Sequence, residues 1–310
     1  MALDESELGP LAELEARGNA NGVPGLRMVG PEELRELEPH AAGIRALHSP
    51  GTGIIDFAKV VEAMAAELGS QGVDLLMGRQ VLEIHRSNGR STLVTTAGDI
   101  SARRVISCAG LYSDKVAGMS GRPPVQIVPF RGDYYSLVPE ARHLCRGLIY
   151  PVPDPTLPFL GVHFTKRADG AVWAGPNAVL ATAREGYGRT DVNAKELLET
   201  LRFPGFRKLA KRYWRTGAHE AWRDVSKRAF VRELQRYVPS VQSEQLVFGP
   251  SGVRAQALQP DGAMVDDFRI LADAESMHVL NAPSPAATAS LAIAGHLSDE
   301  AATLLDLDVR

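Results

Sequence analysis

A chain of 310 residues that is 45% hydrophobic, 23% charged and 6% aromatic has room for about two domains and a globular composition, which excludes disordered and collagen-like sequence. The formal net charge of −3 offers no basic field for nucleic acid, so no nucleic-acid partner is expected. The two cysteines, Cys108 and Cys145, form no CxxC pair, which excludes a disulfide framework and a Cys-rich zinc site and makes a reducing compartment the default; no metal is expected.

The opening stretch MALDESELGPLAELEARG is acidic and lacks the apolar run of a secretory signal. Residues 4–17 pattern as a short amphipathic helix ending at the Gly/Asn-rich ARGNANGVPG. Pro31 opens a second helix, PEELRELEP, whose first turn carries the acidic residues that the helix dipole favours there. A stronger helix spans 56–68, with Phe57, Val60, Val61, Met64 and Leu68 at three- to four-residue spacing behind Asp56 as N-cap. Three strands follow, VLEIHR, STLVTTAG and ISARRVISCAG. Asn88-Gly89 turns the first pair and Gly98-Asp99 the second, a meander that feeds a buried strand over 105–108.

From Val125 the pattern changes to consecutive strands, VQIVPFRGDYYSLV, GLIYPVP, FLGVHFT and AVWAGPNAV, with Ala168-Asp169-Gly170 as a turn. They predict one antiparallel sheet and therefore a second domain. Residues 194–238 read as helices whose Arg/Lys-rich face is solvated. The end returns to strand (MHVLNA), turn (PSPA) and helix (ATASLAIAGHLSDEAATLLD). Residues 276–298 hold no Asp, Glu, Lys or Arg, but Asn281, Pro283, Pro285 and Thr288 interrupt them, so they read as strand, turn and helix rather than a membrane span.

Chemistry concentrates in three places. The last strand–turn–helix has Ser284 as a natural N-cap and small residues Ala286, Ala287 and Thr288 behind it; they either admit a large planar ligand to an anion-favouring helix start or permit tight helix–sheet packing. In VISCAGLYSDKVA, Ala109-Gly110 makes an open strand-to-helix turn that serves a cofactor or is an ordinary connection. In the sheet domain, Arg131, Tyr150, His163 and Asn177 sit in polar or Gly/Pro-rich strand settings, and Arg254 lies in the similar GVRAQ. The small neighbours of Arg131 and Arg254 leave space over each guanidinium for a carboxylate; the alternative is ion pairing with Asp133, Asp154 or Asp266. A lone His such as His163 is a hydrogen-bonded structural residue or a base. No GxSxG, HExxH, P-loop or early GxGxxG is present; GTGIID at 51–56 lacks the third glycine and the preceding strand.

The segments ISCAGLYSD, IVPFRGDYYSL, LIYPVPDPTLPFLGVHFT, GPNAVLATAREGY, GVRAQALQPDG and LNAPSPAATAS, in this order, resemble the L-2-hydroxyglutarate oxidase/dehydrogenases of the D-amino-acid-oxidase-like flavoprotein superfamily, from about residue 20 to the C-terminus. Members of that family open with a βαβ unit bearing a Gly-rich dinucleotide fingerprint, and this sequence starts downstream of it. The resemblance therefore implies an α/β (α+β) chain with an incomplete Rossmann-like FAD domain over 1–120 and 250–310, and an antiparallel substrate domain of D-amino-acid-oxidase type over 121–249. It also implies a fragment that holds FAD loosely and purifies colourless on its own.

The implied activity is FAD-dependent oxidation of (S)-2-hydroxyglutarate to 2-oxoglutarate, with oxygen or a quinone as electron acceptor. By the same resemblance His163 is the base, and Arg131, Tyr150, Asn177 and Arg254 bind the dicarboxylate. Val81, Ala109, Gly110, Gly252, Ser284, Ala286, Ala287 and Thr288 contact the cofactor. The expected setting is the cytoplasm, with peripheral contact at the inner membrane as its variant. The alternatives are an amine-oxidising relative and a non-catalytic binding module.

Overall fold

The computed structural model describes residues 1–153, 161–282 and 286–307, apart from the side chains of His219 and Arg223. In chain order the elements are α1 (Leu8–Ala20), β1 (Arg27–Val29), α2 (Pro31–Leu37), β2 (Ala46–His48), α3 (Phe57–Ser70), β3 (Val81–Ser87), β4 (Arg90–Thr95), β5 (Ile100–Ala102), β6 (Val105–Ser107), α4 (Ser113–Gly118) and β7 (Gln126–Leu137). Then come β8 (Leu148–Ile149), β9 (His163–Lys166), β10 (Val172–Gly175), β11 (Val179–Leu180), α5 (Ala194–Arg202), α6 (Pro204–Val225), α7 (Lys227–Tyr237), β12 (Leu246–Leu258), β13 (Arg269–Ala272), β14 (Ser276–Asn281) and α8 (Ser290–Leu304).

Local chemistry explains most boundaries. Asn88 and Gly89 both take positive φ, 54° and 71°, which is what a two-residue hairpin with the right twist requires between β3 and β4. The Asn193 side chain accepts the N–H groups of Lys195 and Glu196 and starts α5, and Ser226 accepts that of Ala229 and starts α7. α1 runs past Gly18 to Ala20, three residues beyond the expected end at residue 17, because a single glycine costs a helix only about 1 kcal/mol.

Four sheets result. β1 and β2 form an antiparallel pair, and β3-β4-β5 is the expected meander. A six-stranded sheet has the order β11-β7-β10-β9-β8 with β12 on β7. In the fourth sheet, β13-β14-β6, the β14–β6 pair is parallel, and β14 is buried along all but its last residue, as a parallel strand covered on both faces should be.

The chain divides into two compact units, which differ from the expected domains: residues 1–56, 131–179 and 215–252 form one, and 57–130, 180–214 and 253–310 the other. Hydrophobic packing accounts for the difference. In the first unit Val29, Leu34 and Ala46 from the N-terminal segment share a core with Tyr135, Leu137, Phe164 and Val172 of the sheet and Phe230 and Leu234 of α7. In the second, Ala117, Val125, Ile127, Ala257 and Leu280 form one cluster, and Leu209 of α6 packs with Val128 and Leu258 in another. α3 buries none of its residues, and Val61 on it is 63% exposed. Residues 276–298 hold β14 and the first part of α8, and among the described residues no helix is long and apolar enough to cross a membrane.

Candidate functional site

Within the first unit, β7 carries Arg131 into a buried polar knot. The guanidinium, 5% exposed, donates from Nε to Asp133 Oδ1 at 2.9 Å and from Nη2 to Asp224 Oδ2 at 3.2 Å. Asn177 is buried beside it: its Nδ2 donates to Asp224 Oδ1 at 2.7 Å, and its Oδ1 accepts the Asp133 N–H at 2.7 Å. Glu220, four residues before Asp224 on α6, accepts the N–H of Ala178 at 3.1 Å. Arg131 thus occupies the ion-pair role rather than standing under open space. The space beside Gly132 is filled as well, since a Cβ there would sit 2.8 Å from the Pro176 ring and 3.0 Å from the Asn177 carbonyl. That glycine serves a close backbone approach.

On β9 of the same unit, His163 is buried and its Nδ1 lies 3.1 Å from the Gly161 carbonyl. A carbonyl only accepts, so Nδ1 carries a proton, and in the neutral form of the ring the lone pair then lies on Nε2. The Tyr150 ring stacks on the imidazole at 4.3 Å and 19°, and Tyr134 meets it edge-on at 6.4 Å. Tyr150 is 39% exposed. A His with its tautomer and plane both fixed is equipped to accept a proton at one defined atom.

In the second unit, a cavity of about 760 Å³ is lined by Val81, Ala109, Tyr112, Val116 and Met119, with Arg79, Gln80, Thr96, Lys115 and Glu185 around them. Its size falls in the range of small-molecule sites, and its apolar walls with a polar rim suit an adenosine-sized group. Gly110 beside it has φ +53°, and a Cβ there would meet nothing within 4 Å, so this glycine answers to conformation and leaves the turn open. Burial and the charges of Glu185 and Glu196 push the Tyr112 phenol up, so it stays neutral.

The remaining expected residues are more scattered. Arg254 is exposed on β12 of the second unit, and Gly252 is exposed in the first. Residues 286–289 form turns and α8 opens at Ser290, later than expected, without a side-chain cap on Ala289. Ala286 is half-buried, and Ala287 and Thr288 are exposed. Ser284, and Asp154 as an ion-pair partner, lie outside the described residues. Among the described residues no group of three or more His, Cys, Asp or Glu side chains is arranged to hold a metal ion.

Sequence reasoning missed Asp224, Glu220, Arg184 and the packing role of Tyr134. The signal for the first two was available: they are the only acidic residues of α6, four apart and so on one face, of a helix otherwise rich in Lys and Arg.

The family described as FAD dependent oxidoreductase matches residues 1–300. L-2-hydroxyglutarate dehydrogenase of Indibacter alkaliphilus is 47% identical over 297 residues, 95% of this chain and 74% of that protein. The mitochondrial L-2-hydroxyglutarate dehydrogenase of Homo sapiens is 41% identical over 97% of this chain and 69% of its own length, and that of Escherichia coli 39% identical over 98% and 72%. Among solved structures, the dithionite-reduced L-alpha-glycerophosphate oxidase of Mycoplasma pneumoniae with FAD bound superposes with a TM-score of 0.75 at 20% identity, covering 99% of this chain and 72% of that one, a likeness of fold.

Proposed function

The chain belongs to the FAD-dependent oxidoreductase family, and from that membership we propose that it oxidises (S)-2-hydroxyglutarate to 2-oxoglutarate with FAD as cofactor. The observation that carries this reading is 47% identity across 95% of the chain to an L-2-hydroxyglutarate dehydrogenase. When bound, FAD supplies the acceptor for the hydride leaving C2 of the substrate.

The chain's own residues take the other tasks. The 760 Å³ cavity with Val81 and Ala109 in its wall takes the adenine–ribose end of the cofactor, beside the open turn at Gly110. Ala286, Ala287 and Thr288 are the flavin-side contacts in this reading. His163 accepts the 2-hydroxyl proton at Nε2, while the Gly161 carbonyl holds the tautomer and Tyr150 holds the ring plane. Arg254 binds a substrate carboxylate, to which an arginine offers two parallel N–H donors. Arg131, tied to Asp133 and Asp224, fixes the backbone that carries Asn177. The electrons leave to oxygen or a quinone, and the proposed setting is the cytoplasm.

Turnover with an artificial electron acceptor tests this. FAD-supplied protein should convert (S)-2-hydroxyglutarate to 2-oxoglutarate and leave the (R) enantiomer, glycine and D-amino acids untouched. Turnover of an amino acid in preference to the hydroxyacid would contradict it.

A further inference from the structure

Arg184 lies between β11 and α5, inside the resembling segment GPNAVLATAREGY but not among the residues that the resemblance suggests as contacts, and it is 3% exposed and among the most heavily bonded side chains of the second unit. Its Nη1 and Nη2 donate to Asp114 Oδ1 and Oδ2 at 2.6 and 2.8 Å, a bidentate pair at the start of α4. Nη1 also donates to the Leu111 carbonyl, inside the turn that joins β6 to α4. The guanidinium carbon stands 5.7 Å from the Tyr112 ring. Asp114, 6% exposed, is anchored in turn by the Ile127 N–H at 3.1 Å, and the Arg184 backbone N–H is taken by Glu196 at 2.7 Å.

These bonds converge on one short segment. Ala109, Tyr112, Lys115, Val116 and Met119, which line the 760 Å³ cavity together with residues 78–81 and Thr96, lie in or directly after the turn and helix that Arg184 holds, and its neighbour Glu185 lines the same cavity. A turn around a glycine at φ +53° has little conformational preference of its own, so its shape depends on what pins it. A buried guanidinium with a fixed fork geometry is the side chain best suited to hold a carbonyl and a carboxylate at once.

We propose that Arg184 is a positioning residue for the cofactor: through Asp114 and the Leu111 carbonyl it sets the geometry of the turn at 109–112, and hence the affinity for FAD, without touching the substrate. This rests on the reading of the cavity as the seat of the adenosine end of FAD.

The test is FAD affinity of the flavin-free chain, read by quenching of flavin fluorescence, together with its melting temperature and the KM for 2-hydroxyglutarate at saturating FAD. Arg184→Lys keeps the charge beside Asp114 but loses the fork and the Leu111 bond. It should raise the FAD Kd at least tenfold and leave KM unchanged. Because removing one member of a buried pair can unfold a protein, the second variant is the double change Arg184→Met with Asp114→Leu, which replaces the pair with apolar groups of similar size. It should fold, and weaken FAD by a similar factor. Melting temperatures that fall while FAD Kd stays within twofold of the wild type in either folded variant would reduce Arg184 to a structural residue and overturn the proposal. Ala109→Trp, which puts an indole into the wall of the cavity, separates the premise from the inference: if it too leaves FAD affinity unchanged, the cavity is not the cofactor's seat and both readings fall.

Discussion

The imidazole of His163 and the phenol ring of Tyr150 lie face to face, 4.3 Å apart and 19° from parallel, with the Gly161 carbonyl fixing the proton on Nδ1. Replacing the base by His163→Gln removes the proton acceptor. The rate of flavin reduction by substrate should fall by about 10²–10⁴, with FAD affinity unchanged. Tyr150→Leu removes only the stacking, worth about 0.5–1.5 kcal/mol, and should cost up to about tenfold in the same rate. Stopped-flow reduction kinetics check both, and an unchanged rate in His163→Gln would mean that another group takes the proton.

Asp224 binds Arg131 and Asn177 together. Asp224→Ala leaves a buried guanidinium short of one counter-charge and the Asn177 amide short of an acceptor. Breaking one side of a buried pair costs about 3–5 kcal/mol, and the partial exposure of Asp224 puts the expected loss near the lower end. Urea unfolding checks this; a loss below about 1 kcal/mol would show that the knot is not holding α6 to the sheet.

The two arginines should separate by substrate. Arg254→Met should raise the KM for 2-hydroxyglutarate at least tenfold, as loss of a charge-assisted bond of about 1.5–3 kcal/mol implies. The loss should be smaller for 2-hydroxybutyrate if Arg254 reads the distal carboxylate. Arg131→Met should lower the melting temperature and affect both substrates equally, because its partners are protein carboxylates. Steady-state kinetics on the two substrates decide between these roles.

Stability should also depend on pH through His278. Burial holds its pKa below the ordinary 6.5, Arg86 lowers it further, and Asp273 opposes them. Among the described residues its Nδ1 is buried without a hydrogen-bond partner, and its Nε2 lies 3.1 Å from Ser276 Oγ. A folded pKa below the unfolded one means that the unfolded chain binds the proton more readily. The contribution is therefore present in full above 6.5 and is lost as pH falls from about 6.5 through the folded value. Melting at pH 7.5 and 5.5 should show the loss, and His278→Leu should flatten the difference.

Features governed by neighbours in sequence were legible in it. Asn88-Gly89 and Ala168-Asp169-Gly170 turn the hairpins expected of them, and the spacing of Phe57, Val60, Val61, Met64 and Leu68 gives α3. Partnerships across the chain were not. Arg131 meets an acid 93 residues away on a helix whose cationic pattern reads as solvent-facing, and Gly132 makes room for Pro176 rather than a ligand. The same limit hid the packing of Val29 and Leu34 against the sheet of the first unit, because a hydrophobic residue's partner is set by the fold and not by its neighbours.

The central claim, oxidation of a hydroxyacid by a flavin held on this chain, meets its most direct test in an anaerobic titration of the FAD-loaded protein followed by visible absorbance. Addition of (S)-2-hydroxyglutarate should bleach the oxidised flavin band with one 2-oxoglutarate formed per flavin reduced. A band that persists with the (S)-hydroxyacid but bleaches with glycine or a D-amino acid would contradict it.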